Sequence, residues 1–302
     1  MTFKKTFFVA CCSILAISGP VSAQDAGWQF NVQGLALQRS GTDAVPLIVD
    51  GGIPTVYLSG DEFDADLSGG LKFSASRDIT DRTDLVIDGF FAGRMSATRT
   101  VSAAGAQFTV YGADFGTSPV SLNYDSSLMG TGATWRYASQ NGNVRWLGGL
   151  RAMRLGESMK VTDAASPPNL FSGELSNNML GIQAGVEATA FKNDRWEIAG
   201  GAKLGAYSNS ANFDAAFPQA GPAAVFTANG YNVATSAELW IGADYQFSKS
   251  TSLNFGYQAM LLNNVGLLPE QLDDLAVPIL GQMDMGGVPL YQGITFGVQT
   301  NW

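Results

Sequence analysis

The segment 290–302 alternates apolar residues with small or polar ones and finishes on an aromatic ring. Leu290, Ile294, Phe296, Val298 and Trp302 fall on one face of a strand with period two. That face must be buried, either in a protein core or in lipid. A Trp suits a membrane-water boundary, where its ring lies in apolar surroundings and its N-H lies near water. The segment therefore predicts an amphipathic strand whose apolar face needs a partner surface.

Residues 1–23 predict a secretory signal peptide that is cut before Gln24. The basic pair Lys4-Lys5 is followed by an apolar stretch over 7–17, and Val21-Ser22-Ala23 has small residues at the cleavage-site spacing. The alternative, a lipoprotein signal ending at Cys11, would leave an apolar stretch that is too short. We therefore expect 24–302 to form one domain.

Cysteine and helix signals are both weak in the predicted mature chain. The two cysteines, Cys11 and Cys12, fall inside the predicted signal, so we expect no disulfide, iron-sulfur cluster or cysteine nucleophile. Apart from that signal, the sequence has no apolar run near the length of a membrane-spanning helix. Short alternating segments recur instead, as they do in transmembrane strands, whose lipid-facing and lumen-facing positions average out.

Ten segments have strand periodicity, and the connections between them alternate between short polar turns and long loops. The candidate strands are roughly 26–37, 66–77, 82–93, 123–138, 143–159, 176–190, 195–208, 231–247, 251–264 and 289–302. Outer-membrane barrels place short turns in the periplasm and long loops outside. The pattern predicts an all-β fold, a transmembrane antiparallel up-and-down β-barrel of about ten strands. Eight or twelve remain alternatives, for example if Gln107 to Ala113 pairs inside the barrel.

The two faces of these strands differ in polarity. The predicted lipid-facing side collects aromatics near the short turns and the chain ends, which we interpret as a girdle at the periplasmic interface: Trp28, Tyr137, Trp146, Trp196, Tyr245, Phe247 and Trp302. The opposite face supplies candidate pore-lining residues: Lys72, Asp84, Asp88, Arg136, Arg145, Arg151, Glu157, Glu187, Glu197, Lys203, Glu238 and Asp244. Phe90 and Trp240 are misfits on the polar face, and Arg154 is a misfit on the apolar one.

A soluble β-sandwich shows the same alternation and is the alternative fold. Its solvent face could carry the same charges. It gives no physical reason for aromatics to gather beside the short turns, whereas a bilayer interface does.

Several Gly-rich and aromatic motifs recur along the predicted strands. They run from Trp146 to Glu157, from Asn177 to Gly185 and from Ala237 to Tyr245, and continue in Asn254-Phe255-Gly256-Tyr257-Gln258 and 291–297. Together they resemble the motifs of a family of Gram-negative outer-membrane porins that is frequent in planctomycetes and related to a Legionella-type pore-forming protein. The resemblance implies a bacterial outer-membrane location and a final strand recognised by the barrel-assembly machinery. The residues that would carry that assembly signal are Gly293, Phe296, Val298 and Trp302.

The residue inventory favours a pore over an enzyme. The chain has no histidine, which removes the usual general base and the partner of a serine nucleophile. Asp84 with Asp88 could act as a glycosidase pair, but lumen carboxylates paired with basic side chains explain them more simply. We expect no enzyme, and a narrow porin-like pore for ions or small polar solutes. The alternative is a non-conducting structural or adhesive barrel that displays its long loops.

The net charge and one acidic loop predict which ions and partners the protein meets. Loss of Lys4 and Lys5 with the signal would take the net charge from −9 to −11, which favours cations in the lumen and disfavours nucleic acid. Asp61, Glu62 and Asp64 could hold a surface Ca²⁺, although a solvated acidic loop explains them as well. We expect no other cofactor, and membrane lipid, lipopolysaccharide and the assembly machinery as partners.

Overall fold

A computed structural model describes residues 27–41, 44–50, 56–62, 65–102, 106–108, 113–114, 119–163, 169–217, 224–275 and 283–301. The predicted signal peptide and Trp302 lie outside these residues. Fourteen strands are numbered in chain order, and ten of them close into an antiparallel barrel in the order β1-β14-β13-β12-β11-β10-β9-β8-β5-β4. The predicted fold class and the strand count of about ten are confirmed.

The barrel strands differ greatly in length. Their bounds are β1 Trp28–Ser40, β4 Ala65–Thr80, β5 Thr83–Val101, β8 Val120–Ala138, β9 Val144–Asp163, β10 Asn169–Lys192, β11 Trp196–Phe217, β12 Ala224–Gln246, β13 Thr251–Asn263 and β14 Leu290–Asn301. Because a tilted strand needs about 9–11 residues to cross a bilayer, β9 to β12 are long enough to project well beyond it. The barrel wall is therefore tall along β9 to β12 and low along β13, β14, β1 and β4.

Four short turns lie at one end of the barrel, here called the turn end. They are residues 81–82, 139–143, 193–195 and 247–250, close to the predicted positions. The opposite end, the loop end, carries the other five connections. Those between β9 and β10 and between β11 and β12 are also short, 164–168 and 218–223. Two longer ones hold a separate four-stranded sheet of β2 Pro46–Asp50, β3 Val56–Ser59, β6 Ala106–Phe108 and β7 Ala113–Asp114. Since β6 pairs with β2 and not with a barrel strand, it adds nothing to the count of ten.

A β-bulge in β5 explains why that strand is longer than predicted. The register against β8 shifts between Ala92 and Met95, and a bulge of one extra residue reverses which face the following side chains occupy. Before it, Phe91 points outward; after it, Met95 and Ala97 are buried inside and Ser96 is exposed outside. The alternation of the sequence breaks at this point, so the predicted strand stopped at residue 93.

The outer surface changes character along the barrel axis. Near the turn end it is an apolar belt that includes Leu150, Leu180, Ile182, Leu204, Leu239, Ile241 and Phe296, all exposed. Towards the loop end, polar side chains replace it and pair across strands: the Ser96 hydroxyl donates to Asp125 at 2.6 Å and the Thr98 hydroxyl to Asn123 at 2.9 Å. The belt suits lipid and the polar extension suits water.

The interior of the loop half is a hydrophobic core. One cluster of buried side chains lies at mid-barrel, with Leu35, Leu37, Met95, Leu128, Met153, Leu155, Met179, Tyr207, Met260, Leu262 and Tyr291 among its members. A second cluster lies above it, where Leu47, Ile48 and Leu58 of the β2-β3 hairpin pack on the inner faces of the barrel strands.

Part of this core comes from the connection between β13 and β14, which folds back into the barrel. Residues 264–275 and 283–289, here called the plug segment, include the helix α1, Leu268–Leu275. Val265, Leu267, Leu268 and Leu272 are completely or almost completely buried, and α1 contacts β2, β9 and β10. Within the described residues, no helix is long and apolar enough to cross a membrane.

Candidate functional site

The interior of the turn half is a polar cavity of about 740 Å³, here called the vestibule. Its lining extends from the rim residues Asp81 and Arg82 in the first short turn to Phe90 and Met260, where the loop-half core begins. Eleven of the twelve residues predicted to line a pore face it: Lys72, Asp84, Asp88, Arg136, Arg145, Arg151, Glu187, Glu197, Lys203, Glu238 and Asp244.

Near the rim, the charges pair within the wall. Asp84 lies directly opposite Arg136 in the register of β5 and β8, and the Arg136 Nε donates to the Asp84 carboxylate at 2.6 Å. Arg145 donates to Glu187 at 3.1 Å across β9 and β10. Because each pair joins neighbouring strands, these side chains lie along the wall and leave the centre of the vestibule open.

Deeper in, two polar contacts span the lumen. The Arg151 guanidinium on β9 donates to Glu238 on β12, over the two strands between them. The Lys72 ammonium on β4 donates to the Gln258 side-chain oxygen on β13 at 3.3 Å, again over two strands. We call these four residues, with Lys203, the cross-lumen layer: Lys72, Arg151, Lys203, Glu238 and Gln258.

Two aromatic rings contact the cross-lumen layer. They belong to Phe90 and Trp240, the two apolar residues that do not fit the predicted polar face. The Arg151 guanidinium carbon lies 5.2 Å from the centre of the Phe90 ring, and the Lys203 ammonium lies 5.4 Å from that of Trp240. These are cation-π distances. The Trp240 ring has room because residue 201 beneath it is glycine, where a Cβ would collide with the ring. The two misfits therefore belong to the closed end of the vestibule.

Neutral polar residues complete the closed end, and sequence reasoning missed them because it looked for charges. The Gln183 amide donates to the Thr134 hydroxyl at 2.7 Å, and Arg151 also donates to Gln183 at 3.4 Å. Nearer the rim, Asn254 donates to Asp244. Parity could have found Thr134 and Gln183, since they share the inward faces of their strands with Arg136 and Glu187. It gives no such signal for Asn254, because β13 has no charged residue.

Glu157 is a correction to the predicted pore lining. Its carboxylate is in the loop half, fully buried, where it accepts from the equally buried Arg39 guanidinium at 2.8 Å. Its second oxygen accepts from the backbone N-H of Leu268 at the start of α1, at 2.7 Å. Parity assigned Glu157 correctly to the interior, but it could not distinguish a water-filled interior from a packed one.

A second buried polar contact holds the plug segment. The Asn177 side chain on β10 donates to the Gly266 carbonyl at 2.8 Å and accepts from the Gly266 N-H at 2.9 Å. The plug segment is also bonded to itself, since Gln271 donates to the Asp284 carbonyl at 2.7 Å and accepts from the Asp284 N-H at 2.9 Å. These contacts fix it across the lumen, above the vestibule.

Of the predicted girdle, the six residues that the structure describes lie on the outer surface near the turn end, and Trp302 is outside the described residues. Trp146, Tyr137, Trp196 and Phe247 are exposed. The rings of Trp196 and Tyr245 are 4.9 Å apart, and those of Trp28 and Phe30 are 6.1 Å apart. Of the predicted assembly signal, Phe296 and Val298 are exposed on the outside of β14, and Phe296 packs on Phe255 at 5.0 Å. At Gly293, a Cβ would collide with the Ala36 carbonyl on β1.

The surface calcium site stays a prediction. Asp61 and Glu62 lie in a short 3-10 helix, Gly60–Glu62, and the Glu62 carboxylate accepts from the Ser59 N-H at 3.3 Å. Asp64 lies outside the described residues. Among those that are described, no group of three or more His, Cys, Asp or Glu could hold a metal ion.

Solved structures with a similar fold are bacterial outer-membrane barrels. The outer membrane protease OmpT from Escherichia coli has a TM-score of 0.56 at 8% sequence identity, over 91% of this chain and 97% of that chain. The translocator domain of autotransporter NalP from Neisseria meningitidis scores 0.44 at 6% identity, over 98% and 97% of the two chains. A major outer membrane protein from Thermus thermophilus scores 0.36 at 11%, over 91% and 99%.

The likeness to OmpT and the closed ten-stranded barrel show that the fold is that of a bacterial outer-membrane β-barrel. No family model matches the chain, and no curated protein does. Membership of the planctomycete-type porin family therefore stays a prediction.

Proposed function

We propose that the protein is an outer-membrane barrel that does not conduct, and that it carries a rigid extension on the cell surface. The filled interior of the loop half is the observation that supports this. Two stacked apolar clusters, the plug segment and the β2-β3 hairpin occupy the space through which a solute would have to pass. Short turns face the periplasm in this class of protein, so the vestibule opens to the periplasm and the filled half faces outward.

The tall wall of β9 to β12 supports a role at the cell surface. Its outer face beyond the apolar belt carries the exposed polar residues Lys160, Glu174, Asn178 and Asp214, and its inner face is packed like a protein core. A wall that is solvated outside and packed inside is rigid, because close-packed interiors resist deformation. It suits a fixed surface that projects from the membrane, either as a structural element of the envelope or as an adhesive one.

Porin-like diffusion is the second candidate, and the vestibule is the observation that favours it. Its lining is polar and carries both signs of charge, with eight acidic and seven basic side chains: Asp78, Asp81, Asp84, Asp88, Glu187, Glu197, Glu238 and Asp244, against Lys72, Arg82, Arg136, Arg145, Arg151, Lys192 and Lys203. A slight acidic excess would select weakly for cations. Conduction would require the plug segment to leave the lumen.

Catalysis does not form part of the proposal. OmpT is a protease by name, but a likeness at 8% identity concerns the fold. This chain has no histidine, so a mechanism that needs an imidazole base lacks its central group.

Recording in planar bilayers separates the two candidates. Folded full-length protein should give no conductance steps, whereas a variant in which 265–287 is replaced by a short Gly-Ser linker should conduct if that segment closes the lumen. Discrete, weakly cation-selective steps from the unaltered protein, changed by Arg151→Ala, would favour the porin. A correctly folded linker variant that stays silent would show that the β2-β3 hairpin is sufficient to close the barrel.

A further inference from the structure

Away from the exposed rim, Lys72 is the cation of the vestibule whose partner is weakest. Its ammonium donates to the neutral oxygen of Gln258 at 3.3 Å. In the described part of the chain, no carboxylate oxygen lies within 4.0 Å of it, although Arg136, Arg145, Arg151, Lys192 and Lys203 all have one. A half-buried ammonium whose hydrogen-bond partner is a neutral oxygen gains when a carboxylate contacts it, because a hydrogen bond to a carboxylate is stronger.

The neighbouring charges leave a positive excess at this depth. Glu238 is shared, since it accepts from Arg151 and lies 3.5 Å from the Lys203 ammonium. Asp88 is the other acid that faces the closed end. Three cations, Lys72, Arg151 and Lys203, thus face two carboxylates, so the cross-lumen layer and Asp88 together carry a charge of +1.

Apolar surface lies next to the same charges. Phe90 and Met260 face the closed end of the vestibule and are almost completely buried, and the Trp240 ring is partly exposed there. Unlike the wall pairs near the rim, which sit among polar residues, this end combines a cationic group with aromatic and thioether surfaces. Small-molecule sites are typically built in this way, from apolar walls and a few placed polar groups.

We propose that the closed end of the vestibule binds a small amphipathic carboxylate that enters from the periplasm. The carboxylate accepts from the Lys72 ammonium in place of the Gln258 oxygen, and the apolar part of the ligand packs on Trp240, Phe90 and Met260. A charged hydrogen bond to a carboxylate is stronger than one to a neutral amide. The cavity opens at the turn end and is closed by the loop-half core, which fixes the direction of entry.

Binding of hexanoate by the full-length protein in lipid nanodiscs tests the site, with hexanamide as an uncharged ligand of the same shape. Hexanoate should bind saturably in equilibrium dialysis, beyond its uptake by empty nanodiscs, and hexanamide should bind at least about tenfold more weakly, as expected for the loss of one charged hydrogen bond. Equal binding of the two ligands, or no saturable binding of hexanoate, would overturn the proposal.

Variants locate the binding on Lys72. Lys72→Gln should weaken hexanoate binding about tenfold or more, and Lys72→Arg should retain it. Lys249→Gln, in the exposed turn 247–250 and outside the vestibule lining, should leave it unchanged. Unchanged binding in Lys72→Gln would refute the assignment. If that variant does not assemble, the comparison of hexanoate with hexanamide on the unaltered protein still decides. A negative result for hexanoate binding would leave the proposed function untouched, because the vestibule is present whether or not the barrel conducts.

Discussion

The two halves of the barrel interior use the same wall in opposite ways. In the turn half, inward-facing charges pair with partners on the adjacent strand and leave a cavity of about 740 Å³. In the loop half, the described inward positions are mostly Leu, Met and Tyr in contact with one another, and the Arg39–Glu157 ion pair is enclosed completely. The comparison teaches that strand parity fixes inside and outside, while the residue types along each inward face decide whether the inside holds water.

The largest difference between the halves should appear when an ion pair is broken in each. Glu157→Gln leaves the Arg39 charge without its carboxylate in an apolar core, and we expect a loss of about 3–5 kcal/mol in the free energy of unfolding. The matched variant Glu187→Gln breaks the Arg145 pair, whose side chains are 37% and 18% exposed, and should cost at most about 1 kcal/mol.

Urea unfolding of the folded barrels, followed by tryptophan fluorescence, measures both losses. The double variant Arg39→Met with Glu157→Leu should recover part of the stability, since an apolar pair of similar size avoids the buried charge. Equal losses in Glu157→Gln and Glu187→Gln would contradict the view that only the loop half is dry.

Truncation of a buried apolar side chain should cause the next largest loss of stability. Leu155 is fully buried in the mid-barrel cluster, so Leu155→Ala should leave a cavity and cost about 2–5 kcal/mol. Leu150, nearer the turn end of the same strand, faces outward and is exposed; Leu150→Ala should cost much less in the same unfolding assay. If both variants unfold alike, the loop half is not a packed core.

The smallest expected loss of stability comes from a change at the boundary between the turn half and the loop half. Tyr207 lies over Gly205, where a Cβ would fall on the tyrosine hydroxyl, and that hydroxyl is bonded to Ser236 at 3.0 Å. Gly205→Ala should displace the ring and cost about 1–3 kcal/mol through overpacking. Gly148→Ala is the control, because a Cβ there meets nothing within 4 Å. Unfolding midpoints that match in the two variants would place the Tyr207 ring elsewhere.

The turn half was predictable from the sequence because its strands keep period two until close to the short turns, where the register shifts at 78–80 and 189–191. Short polar turns and outward aromatics such as Trp146 and Trp196 marked its end, and the inward charges from Lys72 to Asp244 were identified by parity. The packed interior of the loop half could not be predicted from the sequence, for two physical reasons. A bulge near Ala92 broke the alternation of β5, and the partners that bury Glu157 are Arg39 and Leu268, 118 and 111 residues away.

The sequence does not predict the position of the plug segment, for a related reason. Val265, Leu267 and Leu268 follow β13 in a connection that is rich in apolar residues but lacks strand periodicity. Such a pattern predicts a long loop and does not indicate where the loop lies. Nothing local in the sequence indicates that a loop folds inward. The Asn177 contact with Gly266, 89 residues away, becomes visible only when the barrel wall is in place.

The bridge between Val265 and Gly287 has a consequence for how the barrel is completed. The backbone bonds between these residues, at 3.3 and 2.9 Å, draw together the two ends of the connection 264–289, just where β13 ends and β14 begins. Bringing distant chain ends together costs entropy that grows with the length between them. Once this clasp has formed, that cost no longer opposes the pairing of β14 with β13. β14 is then held close to β13 before the two strands pair, and a paired β14 is in position to close the barrel against β1.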